Sequence, residues 1–168
     1  VGNGAGVLCL SHSSPKIEGN LFVRNLTGLE DEQTRSSNGG AIGCSHFSSP
    51  TIEGNLFLEN DAQGRGDAGA LYMEFSSSPR VIGNVFTRNT SEDDGAAVYM
   101  MKGASPHIVG NLFVGNGREG GKGGTLRLSK ACSATLEGNT FVGNPQGGVV
   151  VVDAALNSAN NVIAHNGP

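Results

Sequence analysis

Residues 40–60 read GAIGCSHFSSPTIEGNLFLEN, and this stretch returns with small changes along the whole chain. The five copies share a glycine-rich opening, a Gly-Asn pair and a closing Phe-x-x-Asn, and four of them have Ser-Pro at the turn before the Gly-Asn pair. The Gly-Asn asparagines are Asn20, Asn55, Asn84, Asn111 and Asn139. The closing asparagines are Asn25, Asn60, Asn89, Asn116 and Asn144, and Asn3 and Asn166 end related phrases. A repeat period in the twenties to thirties predicts a solenoid or a propeller.

The spacing inside the repeat is constant, whereas the total length of the repeat is not. In five copies, 15 residues separate the opening position from the Gly-Asn asparagine, and 5 more lead to the closing asparagine. The distance from one closing asparagine to the next ranges from 22 to 35 residues. All of this variation falls after the Phe-x-x-Asn phrase. The sequence therefore predicts a fixed scaffold with variable loops at one position of each repeat.

Apolar residues alternate with other residues inside the fixed part, as expected for short strands with one buried face. In the quoted copy, Ile42 and Cys44 face inward in the first strand, Ile52 in the second and Phe57 in the third. A propeller blade needs four strands in about 40 to 50 residues, which is more than this repeat offers. We therefore predict an all-β fold, a single-stranded parallel β-helix (β-solenoid) with three short strands per coil. About six coils are expected, near residues 1–25, 26–60, 61–89, 90–116, 117–144 and 145–168.

Equivalent residues of successive coils are expected to stack about 4.8 Å apart, so that like side chains form columns. One column is a stack of aromatic rings, formed by Phe22, Phe57, Phe86, Phe113 and Phe141. The two asparagine series predict ladders in which each amide donates to the next coil and each asparagine takes the left-handed backbone of a corner. Another column, Leu8, Gly43, Tyr72, Tyr99 and Arg127, is expected to point outward into solvent.

The glycine-rich openings together with the Phe-x-x-Asn closings resemble the repeats of chlamydial-type polymorphic outer-membrane proteins. Those proteins are surface adhesins and autotransporter passengers with right-handed parallel β-helices. The phrase SSPxIxGNxF is also similar to the wider right-handed β-helix superfamily, which includes pectate-lyase-like enzymes. The resemblance covers nearly the whole chain. It implies a right-handed helix in a protein that is secreted, extracellular or displayed on an outer surface.

Composition excludes several classes of partner and site. With 11 basic and 15 acidic residues the formal charge is -4, so nucleic acid is not an expected partner. No apolar run approaches the roughly 18 residues of a transmembrane segment. Cys9, Cys44 and Cys132 are too few and too irregularly spaced for a disulfide framework or a zinc site. We expect Cys9 and Cys44 to be buried free thiols in one column, and Cys132 to lie partly exposed in a turn.

Candidate catalytic residues are sought among outward side chains on neighbouring coils, where a polysaccharide lyase or a glycoside hydrolase would place its acids and bases. Arg80 and His107 lie one coil apart, and Glu53 stacks beside Glu18 with Lys16 nearby. Arg80, His107 and Glu53 are therefore the catalytic candidates. Our preferred interpretation is that they belong to an ordinary solvated strand face.

Two further features are candidates for binding. Tyr72 and Tyr99, with Arg127 and Glu74 beside them, are expected to be exposed and are candidates for a platform that binds a sugar ring or another protein. Simple stacking of the two rings from coil to coil is the preferred interpretation.

Acidic residues in the loops offer a possible Ca²⁺ site, with Glu92, Asp93 and Asp94 as the candidate ligands. Glu30, Asp31 and Glu32 precede them in the first loop, and Asp61 and Asp67 in the second. No EF-hand or glycine-rich nonapeptide pattern is present, so solvated loops are the preferred interpretation.

Residues 1–168 are expected to form a single solenoid segment that is uncapped at both ends. Val1-Gly2-Asn3 and Asn166 each belong to an unfinished repeat, which predicts either continuation into a longer solenoid or end-to-end stacking of copies. We expect a non-enzymatic structural or adhesive role, as a rod segment or a head-to-tail filament subunit. The alternative is a carbohydrate-active or carbohydrate-binding module that acts on extracellular polysaccharide; a host or cell-surface protein is the other expected partner.

Overall fold

The computed structural model describes residues 4–28 and 38–168. Within these residues the chain winds as a parallel β-helix, with 21 short strands that we number β1 to β21 in chain order. Each coil contributes one strand to each of three six-stranded sheets, and neighbouring strands in a sheet come from successive coils. The predicted all-β solenoid of about six coils is confirmed. Among the described residues, no helix has the length and apolarity that crossing a membrane requires.

The three main sheets run the length of the solenoid. The first contains β1 (Val7–Leu10), β5 (Ile42–Ser45), β9 (Leu71–Met73), β13 (Val98–Met100), β16 (Leu126–Ser129) and β19 (Val149–Val152). The second contains β2 (Lys16–Glu18), β6 (Thr51–Glu53), β10 (Arg80–Ile82), β14 (His107–Val109), β17 (Ser133–Glu137) and β20 (Ala155–Ala159). The third contains β3 (Leu21–Val23), β7 (Leu56–Leu58), β11 (Val85–Thr87), β15 (Leu112–Val114), β18 (Thr140–Val142) and β21 (Val162–Ala164).

A small fourth sheet follows the Phe-x-x-Asn phrase in the first three coils. It consists of β4 (Leu26–Thr27), β8 (Asp61–Ala62) and β12 (Thr90–Ser91). The sequence predicts loops at these residues, because the pairs Leu-Thr, Asp-Ala and Thr-Ser share no pattern. These strands pair because the asparagines just before them already hold successive coils in register, and not because of their own residue types.

The buried phenylalanines form the predicted column. The ring centroids of Phe22, Phe57, Phe86, Phe113 and Phe141 are separated in turn by 4.9, 4.6, 4.7 and 4.4 Å, with planes within 6° of parallel. Each contact contributes about 0.5–1.5 kcal/mol beyond the burial of the rings. Ile163 replaces the ring opposite Phe141 in the last coil, where it is exposed.

Both asparagine ladders run through the structure, and Asn89 illustrates their geometry. Its Nδ2 donates to the carbonyl oxygen of Phe57 at 2.9 Å and to Oδ1 of Asn116 at 2.9 Å. Its Oδ1 accepts from the backbone N–H of Asn60 at 3.0 Å and from Nδ2 of the same residue at 2.9 Å. Asn89 is fully buried, so these bonds satisfy a polar amide that water does not reach. The prediction that amides donate from coil to coil is confirmed.

The predicted left-handed backbone of the ladder asparagines is wrong. In the described residues the positive φ falls one position earlier, on the glycine of Gly-Asn, such as Gly83 (φ 59°). Before the closing asparagines it falls on Arg24 (52°), Glu59 (54°) and Arg88 (53°) as well as on glycine. The asparagine itself keeps an ordinary backbone because its amide must align along the helix axis with the amides above and below.

A sixth asparagine extends the Gly-Asn ladder beyond the predicted five. Asn161 Oδ1 accepts from the backbone N–H of Asn139 at 2.8 Å and from its Nδ2 at 3.0 Å. The glycine that should precede it is replaced by Asn160, which takes the same positive φ of 56°. Asn161 could have been identified from the sequence, because it lies five residues before Asn166, as Asn139 lies five residues before Asn144.

The three cysteines are buried and free. Cys9 and Cys44 are register partners in the first sheet, as expected for two interior thiols. The expectation that Cys132 is partly exposed is wrong, because its side chain belongs to the main hydrophobic core.

Replacement of Asn89 by alanine is expected to destabilise the solenoid by about 2–4 kcal/mol, because partners on both adjacent coils lose buried hydrogen bonds. Urea-induced unfolding measures this change. Asn157→Ala, at an exposed position of β20, is the matched control and should change stability by less than about 0.5 kcal/mol. Equal stability of the two variants would contradict the energetic role of the ladder.

The backbone at Gly83 generates a second prediction. No atom lies within 4 Å of a Cβ placed there, so a larger residue meets only the cost of its positive φ. Gly83→Val should therefore lower the free energy of unfolding by about 1–2 kcal/mol. Gly83→Asn should cost less, because asparagine tolerates this backbone and occupies the same corner at Asn160. Thermal unfolding compares the two variants, and an equal loss would show that side-chain contacts decide the effect.

Candidate functional site

The outer face of the first sheet is covered, although the sequence predicted a solvated column. Tyr72 is 2% exposed and Tyr99 is 4% exposed, and both pack with Ala68 and Met101 in a second hydrophobic cluster. The prediction that these two tyrosines are exposed is therefore wrong. The loops that precede the strands fold back over the outer face of the first sheet. At Gly95 the loop comes so close that an added Cβ would lie 2.9 Å from the Cβ of Tyr99. The centroids of the two tyrosine rings lie 6.0 Å apart, and the ring planes are tilted by 39°.

These loops and the sheet enclose a cleft of about 460 Å³. Hydroxyl, carboxyl, amide and ammonium groups all line it. The lining residues are Asn38, Asp67, Tyr72, Glu74, Asp93, Asp94, Tyr99, Met101, Lys102 and Lys130. They come from four successive coils, so the cleft extends along the helix axis.

Glu74 is a buried charge with a complete set of partners. Its Oε2 lies 2.8 Å from Lys102 Nζ and accepts a hydrogen bond from the Tyr72 hydroxyl at 3.0 Å. Its Oε1 accepts from Ser45 Oγ at 3.3 Å. Burial, followed by the nearby charge of Glu74, raises the pKa of Tyr72 above its usual value. Tyr72 therefore acts as a neutral hydrogen-bonding group, and Lys102 neutralises the carboxylate.

Asp67 and Asp94 form the second polar group of the cleft. Burial raises the pKa of Asp67 to about 7, with a further rise from the charges of Asp93 and Asp94. The backbone N–H of Asp94 donates to Asp67 Oδ1 at 3.2 Å, and this bond and the charge of Lys130 oppose the increase. Burial also raises the pKa of Asp94, against the attraction of Arg127. Asp67 is thus a carboxyl group that can carry a proton near neutral pH.

Arg127 lies beside this pair but does not complete a hydrogen bond to it. Its Nε is 3.1 Å from Asp94 Oδ2, which is an ion-pair distance. The buried Nε nevertheless has no partner in hydrogen-bond geometry. Arg127 was predicted to lie exposed in the outward column, and it is instead half-buried against Asp94.

The titration of Asp67 predicts a pH dependence of stability. Its pKa is higher in the folded state than in the unfolded chain, so the folded state loses stability as the pH rises from about 4 to about 7. Asp67→Asn should remove that loss, because it keeps the oxygen that accepts from Asp94. We expect the variant to be more stable than the wild type at pH 8, by at most about 4 kcal/mol. This limit follows from the rise in the pKa of Asp67 from 3.8 to about 7, because each pKa unit corresponds to about 1.4 kcal/mol.

The expected gain disappears near pH 3.5, where the aspartate is protonated in both states. Urea unfolding of both proteins at pH 3.5, 6 and 8 measures it. A stability difference that does not change with pH would contradict the raised pKa of Asp67.

The candidate catalytic residues lie away from the cleft, on the second sheet. Arg80 and His107 are register partners and both are exposed, as their spacing predicted. Glu53 is opposite Ile82 rather than beside either of them. Lys16 Nζ lies 2.7 Å from Glu18 Oε2 and 3.8 Å from Glu53 Oε2. Glu53 therefore belongs to an exposed charge cluster separate from Arg80 and His107.

The acidic loop residues that the structure describes are spread over different contacts. Glu92 Oε2 accepts from the backbone N–H of Gly64 at 3.0 Å, while Asp93 and Asp94 line the cleft. Across residues 4–28 and 38–168, no three His, Cys, Asp or Glu side chains are placed to hold a metal ion together. Glu30, Asp31 and Glu32 lie outside the described residues. Calcium binding at these loops stays a prediction.

Sequence reasoning missed three polar residues of the cleft: Asn38, Lys102 and Lys130. Lys102 and Lys130 had a detectable signal, since they occupy equivalent positions just after the first-sheet strands of adjacent repeats. Asn38 had none, because its role depends on the return of the loop to the sheet, where its Oδ1 accepts from the backbone N–H of Asp67 at 2.9 Å.

A family model described as a right handed beta helix region matches residues 1–166. Comparison with curated proteins and with solved structures gave no match. The match agrees with the handedness implied by the resemblance of the repeats, and with the three sheets of the structure.

Proposed function

We propose that this chain, which belongs to the right-handed β-helix family, is an extracellular adhesive module that binds saccharide in the cleft over its first sheet. The observation that carries the proposal is the cleft itself. Its volume of about 460 Å³ falls within the range of roughly 300–1,000 Å³ that is usual for ligand sites.

The mixture of groups in the cleft suits a ligand rich in hydroxyl groups. A sugar hydroxyl both donates and accepts, so it can bond to the carboxyl groups of Asp67 and Asp93 and to the ammonium groups of Lys102 and Lys130. Carboxyl groups outnumber ammonium groups, four to two, among the lining residues. This excess disfavours anionic ligands such as uronate polymers, and it favours neutral or amino sugars.

The scaffold supports binding because the groups of the cleft rest on a rigid sheet. Tyr72 and Glu74 are on or next to β9, and Tyr99 lies in β13, directly above in register. Their partners are already in place without a ligand, which lowers the ordering cost of association. The resemblance of the repeats to surface adhesins supports an extracellular location for such a module. End-to-end association of copies stays a prediction.

Hydrolysis of a glycosidic bond is a second candidate function, and the protonation of Asp67 favours it. A general acid must carry a proton at the working pH, and burial gives Asp67 a pKa of about 7. Asp67 would donate that proton to the leaving glycosidic oxygen, while the neighbouring residue Asp93 would be the base that removes a proton from the attacking water. In that case Asp67→Asn should abolish release of reducing sugar while saccharide still binds.

Binding is tested with a panel of disaccharides to hexasaccharides from the cello-, manno- and chito-series, with oligogalacturonates as the anionic comparison. We expect titration calorimetry to detect binding of a neutral or amino oligosaccharide of the panel. Lys130→Ala and Asp93→Asn should each weaken its binding about tenfold, since a hydrogen bond to a charged group contributes about 1.5–3 kcal/mol.

Lys16→Ala and Glu18→Gln are the matched controls, because both residues are exposed on the second sheet and pair with each other. These variants should bind as the wild type does. The proposal is wrong if no neutral or amino oligosaccharide binds, or if the cleft variants keep full affinity.

A further inference from the structure

The outer face of the third sheet is apolar along its whole length. Each of its six strands turns its first and third residues outward, while the middle residue points to the core. The outward residues are Leu21, Val23, Leu56, Leu58, Val85, Thr87, Leu112, Val114, Thr140, Val142, Val162 and Ala164. Ten of these twelve are Leu, Val or Ala and the other two are Thr, so the set carries no charge. We call these twelve residues the aliphatic face.

The aliphatic face is open to solvent, unlike the outer face of the first sheet. None of its twelve side chains is buried, and Leu21, Leu112 and Val162 are 64%, 36% and 55% exposed. Tyr72, which also points outward from its sheet, is 2% exposed because loops cover it. Burial in the monomer therefore does not account for the apolar residues of the aliphatic face.

Strand formation does not account for them either, as the second sheet shows. Its strands belong to the same coils, and their outward positions are rich in charged and imidazole side chains. Six of the twelve equivalent residues are of this kind: Lys16, Glu18, Glu53, Arg80, His107 and Glu137. The coil thus accepts the polar exterior that is usual for a solvated sheet. The aliphatic composition is a property of one face and not of the repeat.

The two edges of the aliphatic face leave it accessible to a flat partner. Along one edge the corner is glycine, and no atom lies within 4 Å of a Cβ added at Gly54 or Gly83. Along the other edge Glu59 pairs with arginines of both adjacent coils, at 2.8 Å from Arg24 Nε and 2.8 Å from Arg88 Nη2. These charges neutralise one another at the rim, so a partner need not supply a counter-charge.

The size of the aliphatic face indicates how strong its contact would be. Six coils at about 4.8 Å and three residues at about 3.3 Å give roughly 300 Å² in projection. The relief of the side chains raises the accessible area to roughly 500 Å², which is near the upper limit of apolar patches on monomeric proteins. Two such faces together bury roughly 1,000 Å², the area of a weak and transient interface rather than of a stable complex.

We propose that the aliphatic face is the contact surface for a second copy of this chain, packed face to face about a two-fold axis. Its side-chain rows recur about every 4.8 Å, and a second copy has rows with the same spacing. The two faces can therefore interdigitate over their full length, as the inner faces of a β-sandwich do. A lipid surface fits less well, because the exposed Glu18 and Glu137 lie just across the glycine corner and headgroup phosphates would repel them.

The pairing is independent of the proposed saccharide binding. The cleft lies over the first sheet, so both copies of the pair keep it accessible. Leu112→Lys, which we use below to disrupt the pair, should bind saccharide as the wild type does. Failure of one proposal therefore leaves the other standing.

Sedimentation equilibrium of the chain from about 5 to 500 μM tests the pairing. We expect the wild type to interconvert between monomer and dimer with a Kd of about 10–100 μM. Leu112→Lys should weaken the pair at least tenfold, because each dimer would have to desolvate two ammonium groups in an apolar contact.

Leu112→Thr is the second variant, and it should weaken the pair about twofold to fivefold by removing apolar area. The solenoid already has threonine at this position in the next coil, where Thr140 pairs with Leu112 in register. Thr135→Lys is the matched control, since it adds the same charge to the outer side of the second sheet, and it should pair as the wild type does. Thermal unfolding shows whether each variant folds; if Leu112→Lys does not, Leu112→Thr decides.

Several results would overturn the proposal. A wild type that stays monomeric at 500 μM would do so, as would a dimer that both Leu112 variants leave unchanged. Open-ended growth beyond two copies, insensitive to Leu112, would assign association to the ends of the solenoid instead. Cosedimentation of a monomeric wild type with phosphatidylcholine vesicles, lost in Leu112→Lys, would assign the aliphatic face to a lipid surface.

Discussion

The stacking of one asparagine amide on the next is the interaction on which the rest of the structure depends. In each ladder an Oδ1 accepts two hydrogen bonds from the coil before it, and the matching Nδ2 donates in both directions along the axis. Such a chain satisfies corner groups that no strand pairing reaches, and buried polar groups are costly when left unpaired. Every coil must therefore turn at the same two places. The constant spacings within the repeat follow from that requirement.

Because the corners are held in register, differences in length are confined to the loops after the closing asparagine. The glycine-rich openings then let these loops return closely over the first sheet. A Cβ on Gly40 would collide with the carbonyl oxygen of Gly69, so the approach of successive openings requires glycine there. The loops convert what would be an exposed sheet face into the floor of a cleft. The same repeat therefore gives rise to both the regular scaffold and the irregular cleft.

The electrostatics of the cleft follow from that covering. Glu74 has Lys102, Tyr72 and Ser45 as partners, whereas Asp67 faces the like charges of Asp93 and Asp94 in a partly dry setting. The same cleft thus contains one neutralised carboxylate and one carboxyl group that exchanges a proton near pH 7. Burial and neighbours, rather than residue type, distinguish the two.

The amino-acid sequence by itself determined the coil count, the strand positions, the phenylalanine column and the coil-to-coil asparagine ladders. These features are encoded by short, constant spacings, and each residue needs only its equivalent in the next repeat. Left-handed backbone was predicted for the asparagines as well as a permissive φ for the glycines before them, and only the glycines adopt it. Sequence pattern does not show which of two adjacent residues must align its amide. Only the tertiary structure decided that Tyr72 and Tyr99 are buried and that Asp67 meets Asp94. These outcomes depend on the paths of loops of unequal length and on contacts between residues of different coils, which no local spacing records.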